Sequence, residues 1–170
     1  QRNIYKVALY ITFFPQLVAG PIVKYYDFAD QIDKRENDPE KTAQGIRRFI
    51  TGLSKKLLIA NTMAIAADYV YGLDSADITM PLAWLGAVSY LFQIYFDFSG
   101  YSDMAIGLGA MFGFTFKENF NYPYISQSMQ EFWRRWHISV STWFKEYLYI
   151  PLGGNRKGKV RTALNKLFVF

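Results

Sequence analysis

The sequence of 170 residues lacks cysteine altogether and contains a single histidine, His137. The absence of cysteine excludes disulfides, thiolate nucleophiles and cysteine-ligated metals, and one histidine is a poor ligand set, so we expect no metal site. The net charge of +5 is small for a nucleic-acid-binding protein, and we expect no nucleic acid partner. The edges of the sequence look cut, so we expect residues 1–170 to form one piece of a larger domain, truncated at both ends.

Charged residues are almost missing from four stretches, namely 7–23, 57–70, 81–96 and the run that begins at Leu164. A helix that crosses a membrane needs about 20 mostly apolar residues. The third stretch reaches that length if it continues through residues 97–103 into "MAIGLGAMFGFTF", whereas the first two are shorter. Composition alone leaves two alternatives open, membrane helices and the buried core helices of a soluble protein.

The distribution of charge favours the membrane alternative. Residues 24–56 carry eight Lys or Arg side chains and residues 153–166 carry five, whereas residues 72–80 carry two Asp and no cation. Basic flanks around an acidic loop are what the positive-inside rule predicts for a helical hairpin that crosses from the cytoplasm and returns. We therefore predict a mainly α fold built from polytopic membrane helices, with interrupted or re-entrant segments and amphipathic interfacial helices.

Two local signals predict where these segments break and begin. Pro15 and the Gly20-Pro21 pair interrupt the first apolar stretch, and the break at residues 20–23 is compatible with a re-entrant or interrupted helix. Asp38 and Pro39 are typical of a helix start, and the amphipathic pattern that follows predicts a helix to about Lys56.

The histidine lies among tryptophans in the segment "EFWRRWHISVSTWF". Ser128 and Glu131 fit the Ser-x-x-Glu capping box, so we predict a helix that begins near Ser128. At 100° per residue along that helix, Trp133, Trp136 and His137 share one apolar face.

Two interpretations of His137 are open at this level. In the first, it is a core or interfacial histidine that donates one ring N–H to a carbonyl, and the tryptophans form a membrane-interface belt. In the second, it is a general base. Burial lowers an imidazole pKa from its ordinary value of about 6.5, which keeps the ring neutral and able to accept a proton from a hydroxyl.

Four motifs spread over almost the whole chain closely resemble the membrane-bound O-acyltransferase family, in particular its branch that acetylates alginate and other bacterial polysaccharides. These motifs are "FFPQLVAGPIVKYYDF" (13–28), "YFDFSGYSDMAIGLGAMFGF" (95–114), "ENFNYPYISQSMQEFWRRWHIS" (118–139) and "EYLYIPLGGNRKG" (146–158).

The resemblance implies a multi-pass, mostly helical protein of the bacterial inner membrane that passes an acyl group through a tunnel. The donor would be a cytoplasmic thioester, acetyl-CoA or an acyl carrier thioester, used as a substrate with no bound cofactor. The implied partners are the lipid bilayer and an extracytoplasmic transferase or polysaccharide that accepts the acetyl group. His137 matches the histidine of the family's WRRWH segment and is the candidate catalytic residue. The family's second histidine, in a Leu-Trp-His-Gly stretch, has no counterpart here, so we expect residues 1–170 alone to be inactive.

Further candidate residues follow from the same motifs. The candidate substrate or tunnel residues are Trp133, Trp136, Ser141, Asn121, Asp97 and Asp103. The candidate donor-side basic loop contains Arg156, Lys157 and Lys159, although its glycines fit no P-loop spacing.

Asp97 and Asp103 interrupt an apolar stretch, where an unpaired charge is costly. We expect them to face a polar cavity, to meet a cation or to lie at the membrane interface. Two roles are open: tunnel lining, and helix-end hydrogen bonding by Asp97, Ser99 and Ser102 around Gly100.

The segment "NFNYPY" (119–124) is expected to approach the histidine helix tightly, with Asn119 and Asn121 bonding backbone amides.

The predicted function is O-acyl transfer, and specifically acetyl transfer to an extracytoplasmic polysaccharide hydroxyl with histidine-assisted deprotonation. The same scaffold could instead move D-alanine to teichoic acid or a fatty acyl group to a lipid. The alternatives outside enzymes are a non-catalytic transport or scaffold subunit of the membrane and a soluble helical domain with a chance pattern.

Overall fold

The structure, a computed structural model, describes residues 3–17, 20–35, 38–156 and 158–169. These four ranges contain helices and connecting segments but no strand, so the mainly α prediction is confirmed. The α-helices are α1 (Ile4–Thr12), α2 (Tyr25–Ile32), α3 (Pro39–Ser54), α4 (Asn61–Tyr71), α5 (Met80–Met111), α6 (Met129–Arg135), α7 (Ile138–Phe144) and α8 (Gly158–Val169). Two short 3₁₀ helices cover Phe14–Gln16 and Pro123–Ile125, and two π-helical segments cover Lys55–Ala60 and Lys145–Tyr149.

The chain divides into two compact units. Unit 1 contains Gln1–Gly20 and Lys24–Phe116, and unit 2 contains Pro21–Val23 and Lys117–Phe170. The expectation that residues 1–170 are one piece of a larger domain stays a prediction.

The largest feature of unit 1 is a long helical hairpin. Its first arm begins as predicted, because Asp38 Oδ1 accepts the Glu40 N–H at 2.9 Å and Pro39 occupies the first helical turn. The α-helical part ends at Ser54, close to the predicted Lys56. The chain does not leave the helix there, however, since a π-helical segment carries it directly into α4. The second arm is α5, which packs against α3, the π-helical segment and α4.

Glycines let the two arms of the hairpin touch backbone to backbone. A Cβ atom on Gly52 would lie 2.5 Å from the carbonyl oxygen of Gly100, and one on Gly100 would lie 2.7 Å from that of Gly52. Gly45 and Gly107 repeat this contact about two turns away, at 2.7 and 2.6 Å. A side chain at any of these positions would separate the helices, so the four glycines set how closely α3 and α5 pack.

An aromatic cluster forms a second part of the unit 1 core. The rings of Phe28 and Phe114 stack with their centroids 4.5 Å apart, and the ring of Phe13 packs against them at 5.2 and 4.8 Å. All three side chains are buried. They come from the sequence segments "FFPQ", "YYDF" and "FGFTF", so these motif aromatics serve the packing of unit 1.

The first apolar stretch is interrupted, as Pro15 and the Gly20-Pro21 pair predict. After α1 a 3₁₀ turn follows, and residues 20–23 are not helical before α2 begins at Tyr25. Across the part of the chain that the structure describes, no helix is both long enough and apolar enough to cross a membrane.

Candidate active site

The histidine stands at a break between two short helices of unit 2. Helix α6 ends at Arg135, Trp136 is extended with φ −101° and ψ 128°, and α7 begins at Ile138. His137 itself has φ 45° and ψ 55°, a left-handed conformation that residues other than glycine seldom adopt. The prediction of one continuous helix with Trp133, Trp136 and His137 on one face is therefore wrong.

The predicted start of this helix is confirmed. Ser128 Oγ accepts the Glu131 N–H at 3.1 Å, and the Glu131 carboxylate accepts the Gln127 N–H at 3.0 Å. The same carboxylate forms an ion pair with Arg135 at 2.9 Å. The Gln127 N–H and the Arg135 guanidinium hold the pKa of the Glu131 carboxyl below its usual 4.5.

The upstream segment "NFN" supplies the hydrogen bonds that the break leaves open. The Asn121 N–H donates to the carbonyl of Arg135 at 2.9 Å, at the end of α6. The Ile138 N–H donates to the carbonyl of Asn119 at 2.9 Å, and the N–H and hydroxyl of Ser139 donate to Asn119 Oδ1 at 3.1 and 2.9 Å. Backbone groups that a continuous helix would satisfy internally are thus satisfied by this segment.

The two asparagines differ in how they take part. The prediction that Asn119 bonds a backbone amide is confirmed, and this residue is fully buried. Asn121 contacts the junction through its backbone N–H, and its side chain is exposed.

The imidazole of His137 is half-buried and lies beside an aromatic ring. The ring of Phe120 is nearly parallel to it, at 12°, with the two centroids 6.5 Å apart. Burial removes water from the imidazole and lowers the pKa of His137 below its usual 6.5. The ring is therefore neutral at pH 7, and a neutral imidazole keeps one nitrogen lone pair that can accept a proton.

The tryptophans that the sequence places on one face lie in different surroundings. Trp136 packs edge-on against Phe120 at 5.1 Å and stacks on Phe132 at 5.6 Å. Tyr124 extends this aromatic cluster, with its ring centroid 6.3 Å from that of Phe132. Trp133 has 48% of its surface exposed and lines a cleft instead.

The larger of two described clefts in unit 2, the main cleft, has a volume of about 750 Å³. Its described lining residues are Gln130, Trp133, Arg134, Ile138, Ser141, Thr142, Lys145, Tyr149, Asn155 and Lys166. Three of them are cations, three carry hydroxyls and none is acidic. Of the candidate residues, Trp133 and Ser141 line this cleft. His137 and Trp136 are not among the described lining residues, and His137 adjoins the cleft through its neighbour Ile138.

A smaller cleft of about 440 Å³ lies in the same unit and shares two residues with the main cleft. It is lined by Asn155, Gly158, Lys159, Thr162, Ala163 and Lys166. Of the candidate basic loop, Lys159 lines the smaller cleft, whereas Arg156 is exposed and is not among its described lining residues. Lys157 lies outside the described residues.

The loop before α8 shapes this region through two glycines and a buried amide. Gly153 and Gly154 have φ values of 108° and 51°, at which a residue with a side chain would be strained. The Nδ2 atom of the buried Asn165 donates to the carbonyls of Leu152 and Gly154, at 3.2 and 3.3 Å.

Asp97 and Asp103 lie on α5 in unit 1. The Asp103 carboxylate binds Arg48 at 2.8 Å and Lys55 at 2.5 Å, and Asp97 binds Lys56. The expectation that these acids meet cations is confirmed. Helix α5 runs without a break from Asp97 to Asp103, so the helix-end alternative is wrong, and Gly100 between them contacts α3 instead. A role of either acid in a tunnel stays a prediction.

No group of three or more His, Asp or Glu side chains within the described ranges is arranged to hold a metal ion.

Sequence reasoning missed most of the main cleft. Five of its lining residues share one face of α7 and of the π-helical segment after it. They are Ile138, Ser141, Thr142, Lys145 and Tyr149, which are spaced three or four residues apart or less. Helical spacing in the sequence could have indicated this set. The lysine that α8 contributes gives no such local signal.

Comparison with known proteins agrees with the motifs. Residues 2–170 match the profile of MBOAT, the membrane-bound O-acyltransferase family. The chain is 56% identical over 164 residues to "Probable alginate O-acetylase AlgI" of Pseudomonas syringae pv. tomato. It is 47% identical over 167 residues to "Peptidoglycan O-acetyltransferase" of Helicobacter pylori and 31% identical over 154 residues to "Teichoic acid D-alanyltransferase" of Bacillus subtilis.

These three alignments cover 96%, 96% and 88% of the chain and 31%, 31% and 38% of the relatives. The chain thus spans about a third of the length of the curated relatives that it matches. With the family profile matched over nearly its whole length, the chain belongs to the membrane-bound O-acyltransferase family.

Proposed function

We propose that the full-length protein containing this chain is a multi-pass O-acetyltransferase of the bacterial inner membrane. It transfers acetyl from a cytoplasmic thioester towards a hydroxyl of an extracytoplasmic polysaccharide. Two relatives named for O-acetyl chemistry, at 56% and 47% identity, support acetyl as the acyl group over the D-alanyl group of the relative at 31%.

The observation that carries the proposal is the backbone of His137. A left-handed conformation costs a residue with a side chain about 1–2 kcal/mol. Such strain persists only where the surroundings hold it, and it concentrates at functional sites. Here it accompanies a half-buried imidazole that is neutral at pH 7. These properties suit a general base.

In the proposed reaction, the neutral imidazole of His137 accepts the proton of the acceptor hydroxyl. The hydroxyl oxygen attacks the thioester carbonyl carbon, a C–O bond forms and the C–S bond breaks. The imidazolium then returns its proton to the departing thiolate, so the products are an acetyl ester and a free thiol. The reaction consumes no oxidant or other co-reactant.

The main cleft supports a phosphate-bearing thioester as the donor. Its volume of about 750 Å³ falls in the usual range for small-molecule sites. Arg134, Lys145 and Lys166 are among its described lining residues, none of which is acidic, and the Trp133 indole offers a flat apolar surface. Cations bind phosphate through charge-assisted hydrogen bonds. Acetyl-CoA and the phosphopantetheine arm of an acyl carrier share this chemistry.

Replacement of Arg134 by alanine tests the donor assignment. We expect the KM for acetyl-CoA to rise about tenfold with little change in kcat, because a lost charge-assisted hydrogen bond weakens binding. The measurement is [14C]acetyl transfer by membranes that contain the full-length protein. Arg161→Ala is the matched control, since Arg161 is exposed on α8 and is not a described lining residue of either cleft. Equal KM values for the two variants would show that the acyl donor does not bind in this cleft.

Deletion of the gene for the full-length protein, followed by complementation, tests the acyl group. Mild alkali releases ester-linked acyl groups from the cell envelope and the secreted polymer. We expect acetate to fall to background on deletion and to return on complementation, while D-alanine and fatty acids stay constant. Loss of D-alanine with constant acetate would contradict acetyl transfer. A purified protein that neither transfers nor hydrolyses acetyl thioesters would indicate a passive conduit.

A further inference from the structure

We propose that Asn119 is a positioning residue that fixes His137 in its left-handed conformation. This inference rests on the proposed function, because it gives a catalytic purpose to a contact that otherwise only joins two segments. The sequence pointed instead to Asn121 as a candidate for substrate contact.

The first step of the argument is the geometry just after the histidine. Ile138 and Ser139 carry the first two N–H groups of α7, which have no acceptor within that helix. Asn119 accepts both, through its carbonyl at 2.9 Å and its Oδ1 at 3.1 Å, and it also accepts the Ser139 hydroxyl at 2.9 Å. Asn119 is therefore hydrogen-bonded to both residues that follow His137.

The second step concerns helix capping. His137 occupies the N-cap position of α7 but its side chain makes no cap hydrogen bond. The position normally holds Ser, Thr, Asp or Asn, whose own oxygen caps the helix. Here the cap comes from Asn119, a distant residue in the sequence. Asn119 thus caps α7, and the imidazole of His137 does not serve as the helix cap.

The third step is the burial of the amide. Asn119 is fully buried, and its Nδ2 has no hydrogen-bond partner among the residues that the structure describes. The Ser139 N–H requires an oxygen opposite it, which fixes Oδ1 on that side and leaves the donor group as the unpaired one. An unpaired buried donor is costly. Within the side chain of Asn119, the contact with Ser139 therefore depends on the acceptor Oδ1 and not on the donor Nδ2.

The test compares four variants of the full-length protein in cells. The readout is the initial rate at which ester-linked acetate accumulates after induction, divided by the amount of the protein in the membrane. We expect Asn119→Ala to lower this rate by about 100-fold, because a small displacement of a catalytic group has such an effect. Asn119→Asp keeps both acceptor bonds to Ser139, so we expect a rate within about threefold of the wild-type rate.

Ser128→Ala separates positioning from capping alone. Ser128 caps α6 through one side-chain oxygen, as Asn119 caps α7, but its described hydrogen bonds go to Glu131 and Phe132 and not to the residues next to His137. We expect Ser128→Ala to keep the rate per protein within about threefold, although cap loss weakens the fold. Equal losses in Asn119→Ala and Ser128→Ala would overturn the inference. Where Asn119→Ala fails to accumulate, Asn119→Asp decides: activity supports the acceptor role, and inactivity overturns it.

The variant His137→Asn distinguishes failure of the positioning role of Asn119 from failure of the catalytic role of His137. If His137→Asn is inactive and Asn119→Ala is fully active, only the role of Asn119 is wrong. If His137→Asn is itself fully active, the proposed catalytic function of the histidine is wrong as well.

Discussion

Replacement of His137 by asparagine in the full-length protein is expected to lower the rate of acetyl transfer by about 10²–10⁴, the usual effect of removing a general base. Asparagine is the informative replacement because it tolerates the left-handed backbone better than most residues. Alanine would remove the imidazole and also meet the strain at φ 45°. The measurement is ester-linked acetate per amount of protein, at pH 7.5, where the histidine is neutral.

Tyr122→Asn is the matched control for this experiment. Tyr122 has the same φ of 45° as His137 and lies in the same unit, but 72% of its surface is exposed. A change that acted only through the left-handed backbone would affect both positions. We expect Tyr122→Asn to keep the wild-type rate. Wild-type acetylation by His137→Asn would show that the imidazole is not needed.

Replacement of Gly100 by leucine is expected to lower the free energy of unfolding by about 3 kcal/mol or more, at the upper end for overpacked sites. A Cβ atom at Gly100 would lie 2.7 Å from a backbone oxygen of the opposite helix, which cannot rotate away as a side chain can. The helices α3 and α5 would have to separate. The measurement is thermal unfolding of the purified full-length protein in detergent.

Ala83→Leu controls for adding a leucine to α5. Ala83 is exposed on the same helix, and a surface substitution of this kind changes stability by about 0.5 kcal/mol or less. Equal melting temperatures for Gly100→Leu and the wild type would show that α3 and α5 do not touch at this glycine.

The parts of the fold that the sequence predicts correctly depend on neighbours along the chain. Asp38 and Ser128 each cap a helix by accepting an N–H two or three residues later, so a short window of sequence contains the whole interaction. In the first apolar stretch, α1 ends at Thr12 and Pro15 lies in the 3₁₀ turn that follows, while residues 20–23, which contain the predicted Gly20 and Pro21, are not helical. Such signals need no knowledge of the rest of the fold.

The break at His137 could not be predicted in this way. Spacing of apolar residues runs through Trp133, Trp136 and His137 without a gap, and no glycine or proline interrupts the segment. The helix ends there because residues of another segment form hydrogen bonds with its backbone groups. Asn121 donates to the Arg135 carbonyl, and Asn119 accepts the N–H groups that follow His137. A pattern read along one helix cannot reveal a competitor from another segment.

The acidic residues of α5 show an intermediate case. The cost of an unpaired charge in an apolar stretch predicts that Asp97 and Asp103 meet a cation. It does not predict which one, because Arg48, Lys55 and Lys56 come from the other arm of the hairpin. Their choice depends on how the two helices pack, and the glycine contacts set that packing.

Chemical rescue of His137→Gly tests the base role most directly. Glycine adopts φ 45° without strain, so this variant removes the imidazole and leaves its space and the backbone intact. We predict that the variant is nearly inactive and that added imidazole restores acetyl transfer in membranes in proportion to its concentration. A variant that stays inactive at every imidazole concentration, with wild-type amount and melting temperature, would contradict a base at His137. So would a variant that is fully active without imidazole.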